Sequence, residues 1–213
     1  MKKFLIFALI VSVTFVSCKN EKPKEVETPV SENKGEAIAD GTYTVTNENS
    51  ILNWKGFKPT GTHNGTVAIK DGNLVVSDGK LTGGNFTFDM NSIVVLDIPA
   101  DDEYNAKLVG HLKNSDFFDV ENNPTVMFKI TEVLHEGTTL VKGDLTIKGI
   151  TKSIEFPVSL NKTTDGVELV GNAFKIDRTE YNIQYKSQKF FDDLKDKFIN
   201  DEFEISFKVN ASK

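Results

Sequence analysis

From residue 125 onward the chain alternates apolar and polar side chains with a period of two. Val126, Phe128 and Ile130 fall on one side, followed by Val141, Leu145 and Ile147, then Ile154, Phe156, Val158 and Leu160. Such alternation predicts strands with one wet face and one apolar face. It returns near the C-terminus, where Phe203, Ile205, Phe207 and Val209 alternate with Glu204, Ser206 and Lys208. Residues 167–176 form a further strand between these groups. In the first half, residues 42–46 and 51–57 are expected as a first pair, broken by Asn47-Glu48-Asn49. Residues 66–70 and 74–77 flank Asp71-Gly72-Asn73, a hairpin signal because Asp-Gly suits a turn with positive φ. Residues 80–89 follow, with a bulge expected at Gly83-Gly84, and lead into 92–96, which Pro99 closes.

Residues 101–113 carry the one convincing helical pattern. Asp101 or Asp102 is its cap, Glu103 sits in its first turn, and Tyr104, Leu108 and Leu112 share a face. Residues 189–199 (KFFDDLKDKFI) read as a short helix or a lid. Many antiparallel strands with one mid-chain helix predict an all-β fold with minor α, a closed antiparallel barrel. About eight strands enclose just enough room for a slender ligand.

The N-terminus changes the picture of where this barrel works. Lys2-Lys3 precede an apolar stretch, residues 4–16, that is too short to span a bilayer and suits a secretion signal. It ends in Phe15-Val16-Ser17-Cys18, and Cys18 is the sole cysteine of the 213-residue chain. The pattern predicts a lipoprotein signal over residues 1–17, lipidation at Cys18 and a bacterial envelope location facing the periplasm or the cell surface. Residues 18–40 are Lys, Glu, Pro, Ser and Asn with few large apolar groups, a disordered tether spanning roughly 25 Å as a coil. The barrel domain is expected over 41–213. With a single cysteine no disulfide framework exists, so stability has to come from the core.

The chain has net charge −6, and loss of Lys2 and Lys3 with the signal takes it to −8. That balance disfavours nucleic acid and electrostatic adhesion to anionic lipid. His63, His111 and His135 lie far apart with no metal-ligand spacing around them. His111 with Asp116 and Asp119 reads as a helix end beside a turn rather than an acid–base pair. No constellation supplies a base, a nucleophile and an oxyanion site together, so no enzyme, metal site or cofactor is expected. Arg178 is the only arginine among 25 basic residues. Its planar fork suits a salt bridge closing the barrel end with Asp177 or another acid, or else a grip on a ligand head group. Sixteen phenylalanines, against four tyrosines and one tryptophan, are heavy for this length. Many occupy the alternating faces, either filling a core or lining a cavity.

Several stretches form an ordered set along the chain. They are Tyr43-Thr-Val, Ser50-Ile-Leu-Asn-Trp54, Met90-Asn-Ser92-Ile93, His111-Leu112 leading into Asp116-Phe117-Phe118-Asp119, and the Pro124 to Phe128 run. Gly143-Asp144-Leu145-Thr146-Ile147 with Gly149-Ile150-Thr151-Lys152, and then Ile176-Asp177-Arg178, complete the set. Taken together and in order, these stretches resemble the YceI-like family, lipocalin-like barrels that hold polyisoprenoid lipids in bacterial envelopes, and the resemblance covers residues 41–210. One departure is Tyr181-Asn182-Ile183-Gln184, where the family usually carries a glycine-containing stretch. The resemblance implies a non-enzymatic carrier or sequestering protein for an isoprenoid lipid, of quinone or polyprenyl type. The implied ligand wall is Trp54, Phe86, Phe88, Phe117, Phe118, Phe128, Leu145, Ile147, Phe156, Phe174, Arg178, Phe203 and Phe207. Phe117-Phe118 and Phe190-Phe191 are expected to flank its entrance. Alternative readings are a ligand-free structural or stress-response lipoprotein, and an accessory subunit of a membrane redox system.

Overall fold

The computed structural model describes residues 37–213. Eight antiparallel strands close into one barrel in chain order, as the alternation predicts. They are β1 (Gly41–Lys58), β2 (Gly61–Ser77), β3 (Lys80–Val95), β4 (Thr125–Glu136), β5 (Thr138–Ile147), β6 (Ile150–Lys162), β7 (Gly166–Asp177) and β8 (Glu202–Ser212). The helix α1 (Glu103–Lys113) lies between β3 and β4. β8 pairs back onto β1, so no sheet edge is left open.

The predicted breaks in the first half are not turns. Residues 42–57 belong to one long strand, β1, whose two halves pair with β2 and β8 instead of with each other. The Asn47-Glu48-Asn49 interruption is absorbed as a register shift, with Asn49 at φ 63°. Asp71-Gly72 likewise lies inside β2, opposite Thr87 and Phe86. A Cβ on Gly72 would sit 2.9 Å from the Phe86 ring, so this glycine makes room for a neighbour. The hairpin turn is Asp78-Gly79, with φ of 52° and 69°, the double positive φ that a two-residue hairpin needs. Two Asp-Gly pairs compete in this stretch, and packing decides between them.

Asp102 caps α1 by accepting the Tyr104 amide at 2.8 Å. The inward face differs from the expected one. Tyr104 is 63% exposed, while Asn105 is buried and donates to the carbonyls of Val95 and Ile98. Leu108, Val109 and Leu112 are half-buried beside it. Leu108 and Leu112 keep their places, and Asn105 replaces Tyr104 because it ties the helix to the end of β3.

The connections sort by length onto two ends. At the hairpin end, β2–β3, β4–β5 and β6–β7 are joined by at most three residues. At the opposite end, two long connections (96–124, carrying α1, and 178–201) form a cap. Residues 189–199 contribute to that cap one 3-10 turn, Lys195–Lys197, rather than a longer helix. The signal, Cys18 and most of the expected tether lie outside the described residues. The last four, 37–40, rest on the hairpin end, where Tyr43 donates its hydroxyl to the Ala39 carbonyl at 2.6 Å and Ile38 packs on the core.

Candidate functional site: an apolar cavity under the cap

The barrel is hollow at the cap end. The cavity holds about 180 Å³, counted as space for the centre of a water-sized sphere. Its wall is apolar except for Arg178, Asn200 and Glu202 at the cap and the indole nitrogen of Trp54. All thirteen residues implied as the wall line it: Trp54 on β1, Phe86 and Phe88 on β3, Phe117 and Phe118 after α1, and Phe128 on β4. Leu145 and Ile147 on β5, Phe156 on β6, Phe174 on β7, Arg178, and Phe203 and Phe207 on β8 complete them. Phe190 and Phe191 do not line it. Each is 48% exposed.

The aromatic rings lie against the wall and against one another. Phe156 and Phe174 stack at 4.2 Å with planes 6° apart, and Phe207 meets both edge-on at 5.8 and 6.4 Å. Phe128 joins the group at 5.3 Å from Phe156. Two glycines make this possible. A Cβ on Gly171 would stand 2.3 Å from the Phe207 ring, and one on Gly143 would stand 2.4 Å from Phe128. Each ring therefore settles onto bare backbone of the neighbouring strand, as rings do beside strand glycines.

The cap is held by one buried cation. Arg178 is 4% exposed and its guanidinium donates to three carbonyls: Nε to Asn200 at 3.0 Å, Nη1 to Ile183 at 2.8 Å and Nη2 to Ile199 at 2.9 Å. Of the acids expected to pair with it, the partner is Asp201 and not Asp177. Asp201 stands 3.6 Å away, whereas Asp177 accepts from Lys189 at 2.5 Å and from Thr179 at 2.6 and 2.9 Å. Burial lowers the Arg178 pKa, and the nearby Asp201 and Asp177 offset this only in part. Tyr181, wholly enclosed beside it, has its hydroxyl pushed up to about 12, by burial first and then by Glu180. The stretch that departs from the family has a physical reading here. Asn182 takes φ 58°, ψ 30°, a conformation glycine favours and asparagine tolerates.

The two cap segments meet over the cavity. Tyr185 packs edge-on against His111 at 4.7 Å and at a 53° tilt against Phe117 at 5.6 Å. His111 Nε2 is 3.1 Å from Asp116 Oδ2, and Asp119 gathers the side-chain amides of Asn122 and Asn123 rather than turn amides. Ile183, Ile199 and Tyr185 were not singled out by sequence, since irregular segments carry no periodicity to read. The three histidines stay apart: His63 faces Asp97, and His135 faces the Leu81 carbonyl. Among the described residues no group of three His, Cys, Asp or Glu is placed to hold a metal ion.

Comparison with known proteins matches this geometry. A family model described as the YceI-like domain matches residues 43–211. The chain belongs to the YceI-like domain family. A UPF0312 protein of Photorhabdus laumondii is 40% identical over 85 residues, which is 37% of this chain and 42% of that protein. One from Pseudomonas aeruginosa is 33% identical over 84 residues, 36% of this chain and 44% of that protein. The chain thus spans less than half the length of these curated relatives in alignment. Two solved structures share the barrel fold. Burkholderia cenocepacia BcnA superposes with a TM-score of 0.61 at 19% identity, covering 78% of this chain and 98% of that one. A polyisoprenoid binding domain from Saccharophagus degradans superposes at 0.60 with 12% identity, covering 80% and 97%.

Proposed function

We propose that this YceI-like barrel binds the hydrocarbon tail of an isoprenoid lipid, of quinone or polyprenyl type, and carries or sequesters it without chemical change. The observation that carries the reading is a deep cavity whose wall is almost wholly apolar. Each CH2 moved from water into such a space gains about 0.8 kcal/mol, so a branched hydrocarbon binds there without specific polar contacts. The name of the Saccharophagus degradans neighbour supports the ligand class. The N-terminal pattern ending at Cys18 supports a second part: the barrel is tethered to an envelope membrane by a lipid on that cysteine.

The test is to extract and identify by mass spectrometry whatever apolar lipid co-purifies with the barrel, and to titrate the emptied protein with prenyl quinone. Co-purified isoprenoid and saturable binding are expected. Absence of both sinks the reading. For the tether, Cys18→Ser is expected to move the chain from the membrane fraction to the soluble one.

A further inference from the structure

The hollow stops partway down the barrel. Below the cavity the lumen is solid: Leu74 and Val167 are 0% exposed, Leu81 1% and Val76 2%, and none of them lines the cavity. Tyr43 and Ala211 fill the same end, and Ile38 packs across it. The cavity reaches from Phe203 to Val209 along β8 and from Val141 to Ile147 along β5, six residue steps in each case. At about 3.3 Å per residue that is about 20 Å of strand. With barrel strands tilted 35–45°, the depth is about 15 Å.

The bore is also narrow. A volume of 180 Å³ spread over about 15 Å gives the sphere centre a channel about 4 Å across, to which its radius of about 1.4 Å adds on each side. A wall-to-wall width of about 7 Å takes one methyl-branched chain and not two side by side, so a long chain does not fold back on itself inside. Extended chains advance about 1.2 Å per single bond, as a peptide advances about 3.5 Å over three. A four-bond isoprene repeat therefore takes about 5 Å.

We infer that the packed hairpin end acts as a chain-length stop, admitting about three isoprene units in single file while any longer chain and the head group remain at or beyond the cap. The inference rests on the cavity being an isoprenoid site. The apolar end of the ligand enters first, because the floor offers no polar partner: Leu74, Val76, Leu81 and Val167 are hydrocarbon throughout. Apart from the Trp54 indole, the polar lining residues stand at the cap: Arg178, Asn200 and Glu202.

The chain carries its own reporter, since Trp54 is its only tryptophan and lines the cavity. The experiment titrates the full chain with all-trans prenyl alcohols of one to eight isoprene units and follows Trp54 fluorescence. Affinity is expected to rise at least tenfold per added unit up to the third, then to change less than threefold in total out to the eighth. Two folded variants move the break in opposite directions: Leu74→Ala lowers the floor and shifts it up, while Val209→Phe raises the floor and shifts it down. Affinity that climbs steadily through eight units, or a break that both variants leave in place, overturns the chain-length stop while leaving isoprenoid binding intact. Failure of every length to bind overturns the functional reading along with it.

Discussion

One set of eight strands builds both a solid half and a hollow half. At the hairpin end the inward residues are mostly aliphatic, among them Val45, Leu74, Val76, Leu81, Val158, Val167 and Ala211, and they meet across the axis. At the cap end the inward residues are larger, yet the centre stays open. Ring size is therefore not what fills a barrel. Phe207 and Phe128 lie on the bare backbone of Gly171 and Gly143, and Phe156 stacks flat on Phe174. A ring laid along the wall covers much surface and projects little, whereas a branched aliphatic side chain on a pleated strand points to the axis. The ends differ in closure too: tight turns seal one, and a polar clamp around Arg178 holds the other.

If the hollow end depends on that clamp, Arg178→Ala is the most damaging single change. It leaves the carbonyls of Ile183, Ile199 and Asn200 without their donor and takes from the half-buried Asp201 carboxylate the nearer of its two cations. Loss of one buried charged partner costs about 3–5 kcal/mol, and for a domain of this size that lowers Tm by about 10 °C. Thermal melts check it, and Arg178→Lys is expected to recover little, because an ammonium cannot fork to three carbonyls. Melting within 2–3 °C of the wild type would place the stability of the cap elsewhere.

Truncations on either side of the floor compare the halves directly. Leu74→Ala opens a void in packed surroundings and is expected to cost about 3–4 kcal/mol, inside the range for buried leucines. Phe174→Ala removes a larger group but enlarges a space already present, so its cost is expected near 2 kcal/mol, below the usual figure for a core phenylalanine. Denaturant midpoints measure both. Equal costs, or the reverse order, would mean that the cavity is not a standing feature of the folded barrel.

The glycines give a smaller effect of distinctive sign. Gly171→Ala places a methyl where the Phe207 ring lies, and overpacking of this kind costs about 1–3 kcal/mol. The ring has one direction in which to yield, toward the bore. The variant is therefore expected to narrow the cavity and weaken tail binding more than it weakens the fold. Pairing it with Phe207→Leu should restore stability if the clash is the cause, and a double-mutant cycle reads that coupling.

How much of this was legible follows from where periodicity exists. β4 to β8 announce themselves because Val126, Phe128, Leu145, Phe156 and their neighbours alternate, with register shifts at Ile130/Glu132 and Gly171/Phe174. Ten of the thirteen implied wall residues lie on strands and reach the cavity for the same reason, since facing inward is a property of alternation, whereas Phe117, Phe118 and Arg178 reach it from the cap segments. Whether inward means filled or hollow was not legible, because it turns on ring orientation over Gly143 and Gly171, residues with no side chain to mark their role. The Asp71-Gly72 turn was misread since local turn chemistry is satisfied equally at Asp78-Gly79, and only the Phe86 ring against Gly72 tells them apart. Arg178 stood out by being unique, but its carbonyl partners come from 183 to 200, a segment without pattern. Tyr104 and Asn105 exchanged places for a related reason: an amide that ties α1 to Val95 and Ile98 outranks an apolar face.

The mildest difference between the ends is expected in acid. Burial pushes the Asp177 carboxyl up, but the hydrogen bonds from Lys189 and Thr179 outweigh it and hold the group below the ordinary aspartate value. A carboxylate with a depressed folded pKa adds stability that is fully present above its unfolded value of about 3.9 and is lost as pH falls through the folded one. Protonation there releases Lys189, which links Asp177 to the cap segment also through Asp201 at 3.7 Å. Amide hydrogen exchange pulsed below pH 4 should show residues 178–201 losing protection before β2 and β3 at the hairpin end. Lys189→Ala should bring the same loss to higher pH, because the partner that lowers the Asp177 pKa is gone. Protection that fades uniformly over both ends would assign the acid sensitivity to the net charge of the whole barrel and remove Asp177 as the cause.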